Sequence, residues 1–92
     1  MAEPTVLASI RDYLRVVNEA GICARRAILF GSHARGEAQA ESDIDIVVIA
    51  PEFDGRPERR LVEKLWELRA VTDARIEPVP CGRRSGNLTT RE

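Results

Sequence analysis

Apolar residues return at three- and four-residue steps through the first part of the chain, at Val6, Leu7, Ile10, Tyr13, Leu14 and Val17. That spacing gathers them on one face of an amphipathic helix, which Pro4 or Thr5 can start and Gly21 can end. The rhythm then changes. "RAILF", 26–30, is a short apolar, partly β-branched run closed by Gly31, and reads as a first strand. Residues 33–41 are small and polar with good helix formers, which suits a short helix broken at Gly36. "DIDIVVIA", 43–50, reads as a second strand ended by Pro51, and "PEFDGRP", 51–57, as a loop. From Glu58 to Ala70 a helical stripe returns, with Leu61, Val62, Leu65, Trp66 and Leu68 expected to face the core. "RIEPV", 75–79, is a third strand. Pro78 cannot donate a ladder hydrogen bond, so that strand belongs at an edge or ends there.

The predicted order is helix, strand, short helix, strand, helix, strand: an α/β (α+β) layer of helices on a small three-stranded sheet. Residues 1–81 make one domain, and 82–92 are polar and unpatterned, expected to form a loose tail. Ninety-two residues suffice for a modest core but leave no room for a second, substrate-gripping domain. An enzyme of this size is expected to complete its site with a partner or another copy.

Charge narrows the field a little. A net charge of −1 hides thirteen arginines and the single Lys64 against fifteen acids, which argues against wholesale nucleic-acid coating. The start lacks a basic segment followed by an apolar one, and no run approaches ~18 apolar residues. Neither a secretory signal nor a membrane span is expected, and Cys23 and Cys81 read as free thiols of a reducing cytoplasm.

The chemistry sits in "GSHARGEAQAESDID", 31–45. Side chains alternate along a strand, so Asp43 and Asp45 share one face with their Cα atoms about 6.6 Å apart. Aspartate is disfavoured in strands and like charges repel, so the pair is most comfortable around a cation; oxygen-only ligands select Mg²⁺ or Mn²⁺. Gly31 and Ser32 leave the end of the first strand, and face the aspartates if the two strands are antiparallel neighbours. Gly31 admits close backbone approach, and Ser32 offers a hydroxyl. Amide groups opening the next short helix can receive phosphate oxygens, with Arg35 adding charge. A third carboxylate would complete a two-metal site. Glu77 on the third strand is the candidate, and Asp73, in turn territory before it, is the rival. Each feature alone has a plain structural reading, Gly-Ser as a turn and Asp-x-Asp as a solvated strand end; the combination is what singles them out. His33 is expected to cap the turn or face solvent.

Together, "FGSHARGEAQAESDIDIVV" resembles the signature of DNA polymerase beta-like nucleotidyltransferases: Gly-Ser, ten residues from His33 to Ser42, then Asp-x-Asp. The short chain is similar to the minimal nucleotidyltransferase (MNT) subfamily, and the likeness covers about residues 5–80. The resemblance implies a small mixed sheet with helices and transfer of a nucleoside monophosphate from a triphosphate, ATP or another NTP, to a hydroxyl. It implies that Gly31 and Ser32 bind the triphosphate and that Asp43 and Asp45 hold the metals. The family's third carboxylate falls on Glu77, where aspartate is common; tyrosine is common where this chain has His33. MNT proteins often pair with a HEPN-domain toxin, some adenylylating it on a tyrosine. The resemblance thus implies a HEPN-domain partner; the alternative is a non-catalytic antitoxin that neutralises the toxin by covering it. A homo-oligomer fits either expectation, and neither nucleic acid nor membrane is indicated as a partner.

Overall fold

The computed structural model describes residues 4–39 and 42–82. The tail beyond Gly82 therefore lies outside the described residues. Helix α1 spans Pro4–Glu19, strand β1 Arg26–Phe30, helix α2 Gly31–Arg35, strand β2 Ile44–Ile49, helix α3 Arg59–Leu68 and strand β3 Ile76–Cys81. Short 3₁₀ turns at Pro51–Phe53 and Arg69–Val71 flank α3. The element order is the one the hydrophobic pattern predicts, and the sheet order is β1-β2-β3.

Helix α1 opens on proline, which lacks the amide hydrogen a first turn would leave unpaired. Its stripe buries Val6, Ile10, Tyr13 and Val17, while Leu7 stays 40 % exposed at the margin. The helix stops because Gly21 turns the backbone to φ 99, and Asn18 pins the exit by donating to the carbonyls of Leu14 and Ala24 at 2.8 and 3.0 Å. Tyr13 reaches across to α3, where its hydroxyl donates to the Leu65 carbonyl at 2.5 Å. That bond satisfies two buried polar groups at once, and burial pushes the phenol's pKa up.

Strands β1 and β2 are antiparallel, with Phe30 opposite Asp45 and Ile28 opposite Val47. β2 and β3 are parallel, with Asp45 beside Glu77 and Val47 beside Val79. The sheet is therefore mixed. Ile44, Ile46 and Val48 turn inward and are fully buried with Ile76, Leu65 and Phe53 beneath the helices. Asp45, Val47 and Ile49 alternate to the opposite, uncovered face. β3 is an edge strand, as Pro78 requires, and it continues through Pro80 to Cys81 rather than ending early.

Three expectations need correction. The short helix occupies 31–35 rather than part of 33–41, because Gly36 adopts the left-handed conformation (φ 73) and caps it. Trp66 is 40 % exposed, not core: on α3 only Leu65 is fully buried, and Arg69 lies over the indole at 4.7 Å. His33 is buried, 7 % exposed, and its Nε2 lies 3.2 Å from the Ser42 carbonyl. Cys23 and Cys81 are not joined in a disulfide. No described helix is long and apolar enough to cross a membrane.

Candidate active site

The uncovered face of the sheet carries its carboxylates at one end. Antiparallel pairing brings the C-terminal end of β1 beside the N-terminal end of β2, and parallel pairing sets the start of β3 there too. The turn after β1, the aspartates and Glu77 consequently meet in one place, as the topology expected from the sequence requires.

Gly31 is the close-packed member. Its backbone has φ 76, and a β-carbon there would collide with the Asp45 carboxylate, lying 3.2 Å from Cγ. Only glycine fits both the conformation and the gap. Ser32 is half-buried, and its hydroxyl makes no hydrogen bond among the described residues. α2 has five residues, so anion contacts here would fall on individual amide groups rather than on a helix dipole. Arg35 is exposed and paired with Glu37 at 2.8 Å, yet its charge still pulls the Asp45 pKa down. His33 acts at short range too. It ties α2 to Ser42, one residue before Asp43, and so fixes the spacing between the turn and the aspartates.

Asp43 sits one position before β2 and is exposed. Asp45 and Glu77 are half-buried neighbours in register. Burial raises the Asp45 pKa, and the Asp43 charge adds to it. Glu77 is raised chiefly by a hydrogen bond to Asp43, then by burial and by the charges of both aspartates. Asp45 and Glu77, crowded by burial and by the neighbouring carboxylates, therefore hold their protons more tightly than isolated acids would. Among the described residues no three His, Cys, Asp or Glu side chains are drawn up as a ready-made metal cage. The donor set is nonetheless all oxygen, and a hard divalent cation would offset its mutual repulsion.

Asp73, the rival third carboxylate, is otherwise engaged. It accepts from Arg75 Nη2 at 2.7 Å, Nε at 3.0 Å and the Arg75 amide at 3.0 Å. Those bonds hold its pKa down at about 2, and the Asp45 and Glu77 carboxyls do not owe their shifts to it.

Arg69 had no signal in the sequence beyond its place three residues after Trp66. It donates to the Ala74 carbonyl, and its buried Nε has no hydrogen-bond partner among the described residues. Its charge pulls both Glu77 and Tyr13 down. A separate cleft of ≈ 810 Å³, lined by Ile22, Glu52, Leu61, Lys64 and other charged residues, shares nothing with the carboxylate site. Its mixed-sign lining favours no one ligand class.

A family model described as "Nucleotidyltransferase domain" matches residues 10–81. The chain is also 40% identical over 55 residues to a protein of Methanocaldococcus jannaschii named "Putative protein adenylyltransferase MJ0141". The matched stretch covers 59% of this chain and 56% of that protein, so it spans little more than half of the relative's length. No solved structure is significantly similar to the chain. With the fold, the Gly-Ser turn and the paired aspartates in place, the chain belongs to the nucleotidyltransferase-domain family, as a minimal, MNT-type member.

Proposed function

We propose that this domain moves AMP from ATP to a hydroxyl on a partner protein, of the HEPN-domain type, and that Mg²⁺ or Mn²⁺ assists. The single observation that carries the reading is the meeting of Asp43, Asp45 and Glu77 at one end of the sheet, with Asp45 against the Gly31 backbone and the pKa values of Asp45 and Glu77 raised. The name of the archaeal relative, a protein adenylyltransferase, supports a protein acceptor.

In this reading Gly31 lets the triphosphate approach the backbone, Ser32 donates its hydroxyl to a phosphate oxygen, and Arg35 adds positive charge. Asp43, Asp45 and Glu77 would hold the divalent ions, which would supply Lewis acidity at the phosphoryl oxygens and lower the pKa of the attacking hydroxyl. The acceptor oxygen forms a bond to the α-phosphorus, the bond from that phosphorus to the α,β-bridging oxygen breaks, and pyrophosphate leaves with the electron pair. Glu77, with its raised proton affinity, is the group placed to take the hydroxyl proton or to hold the ion that acidifies it.

The competing reading is an antitoxin that acts by covering its toxin. The test is to incubate the protein with α-labelled ATP, Mg²⁺ and its co-purifying partner. Label on the partner, lost with Asp45→Asn, is the expected result. Transfer that survives Asp45→Asn would sink the assignment. Tight partner binding without label, undiminished in the aspartate variants, would establish the covering antitoxin instead.

A further inference from the structure

One edge of the sheet is guarded and the other is not. β3 carries Pro78 and Pro80, which cannot donate to an added strand and so blunt that edge. β1 has no proline, and no strand among the described residues pairs with its outer side. Its uncovered-face side chains are Arg26, which is exposed, Ile28 at 44 % and Phe30 at 41 %. Arg26 makes no ion pair or side-chain hydrogen bond among the described residues.

The short sequence of β1 complements itself. Antiparallel pairing of residues 26–30 with the same residues of a second copy sets Ile28 against Ile28 on the two-fold axis. It also sets Arg26 against Phe30 at each end, where a guanidinium can lie over an exposed ring. No other register pairs all five residues. We propose that the chain forms a two-fold dimer through β1, joining two three-stranded sheets into one of six strands, with Arg26 of each copy laid over Phe30 of the other.

The consequence reaches the site. Phe30 lies opposite Asp45, which lies beside Glu77. The dimer extends this row with a cation from the second copy, two strand spacings or about 9.6 Å from the Asp45 backbone and at the flank of Gly31 and Ser32. Arg26 of the second copy is then a phosphate-facing cation. That role rests on the nucleotide reading of the site, whereas the dimer rests on the strand edge alone.

Sedimentation of the full chain without nucleotide tests the dimer. The wild type is expected to be dimeric at tens of micromolar, Ile28→Lys and Ile28→Glu each monomeric, and their equimolar mixture dimeric again because opposite charges then meet on the axis. A monomeric wild type, a dimeric Ile28→Lys, or folded variants that fail to recombine would overturn it. Should the charged variants not fold, Ile28→Cys with Cys23→Ser provides the check. Facing Cα atoms of an antiparallel pair lie about 4.5–5.5 Å apart, within disulfide reach, so mild oxidation should give a covalent dimer. Failure to cross-link would count against the pairing. In that covalent dimer, Arg26→Gln should weaken ATP binding in Mg²⁺ several-fold. Unchanged affinity would remove Arg26 from the site and leave the dimer standing, and no ATP binding even before that substitution would instead sink the nucleotide reading.

Discussion

Asp73 and Glu77 lie four residues apart on either side of the entry to β3, and they live in opposite electrostatic worlds. Asp73 is wrapped by Arg75 and held at a pKa of about 2. Glu77 faces two aspartates and is pushed up, with only Arg69 pulling the other way. A carboxylate whose charge is satisfied within its own turn strengthens the fold. One crowded by like charges weakens it, and is a natural place to look for chemistry. The same contrast separates the covered face of the sheet, where Ile44, Ile46 and Val48 are fully buried, from the open face with Asp45 among them in register.

The sharpest way to break this comparison is to neutralise one member of each class. Asp45→Asn should cut AMP transfer by about 10³-fold or more, some 4 kcal/mol of barrier, without lowering the melting temperature of the unliganded protein. Asp73→Asn should do the reverse, leaving transfer near wild type. If both lower activity alike, or Asp45→Asn unfolds the domain, the contrast fails.

Gly31→Ala comes next in size. Its β-carbon must displace the Asp45 carboxylate from a backbone at φ 76, so a loss on the order of 2–3 kcal/mol is expected. In a domain of this length that lowers the melting temperature by roughly 10–20 °C, and calorimetry reads it directly. An unchanged melting temperature would mean that the turn and the aspartate are not in contact.

Losing the Arg75 pair should cost about 1–2 kcal/mol, because Asp73 falls from an ordinary 3.8 to about 2 in a partly exposed setting. That contribution is present above pH 3.8 and disappears as the pH falls through 2, so Asp73→Asn should flatten the acid limb of a stability–pH curve.

The smallest effect has the opposite sign. Asp45 and Glu77 have raised folded-state values, so their contribution is fully present below their ordinary values of 3.8 and 4.5 and is lost as the pH rises through the raised ones. Denaturant melts between pH 4 and 7 should show this decline in the wild type and a weaker one in Glu77→Gln. A decline of the same size in the variant would remove the carboxylate repulsion from the account.

Most of the fold could be read from local pattern. Alternation along 44–49 named the buried residues of β2, and Pro78 placed β3 at an edge. The meeting of the Gly-Ser turn with Asp45 also followed, since antiparallel strands bring those ends together. What escaped depended on contacts distant in sequence or on how wide a buried stripe is. Helical spacing gave Trp66 a place on a stripe, but the α3 contact is narrow and reaches only Leu65 fully. His33 is held by a carbonyl nine residues on, and Arg69 acts on a strand that begins seven residues later. The apolar run of β1 left open whether both of its faces are covered, and Ile28 and Phe30 prove exposed.

The central claim is that these carboxylates and the Gly31 turn form one metal-dependent nucleotide site. It is tested most directly by the thermal shift on adding ATP and Mg²⁺ to the wild type and to the Asp43→Asn/Asp45→Asn variant. Ligand at 100 times its Kd should stabilise the wild type by about 2.7 kcal/mol, several degrees in a domain this small. The variant, whose baseline should itself rise as repulsion is relieved, should show no further shift. Equal shifts in both proteins, or none in either, would contradict the claim.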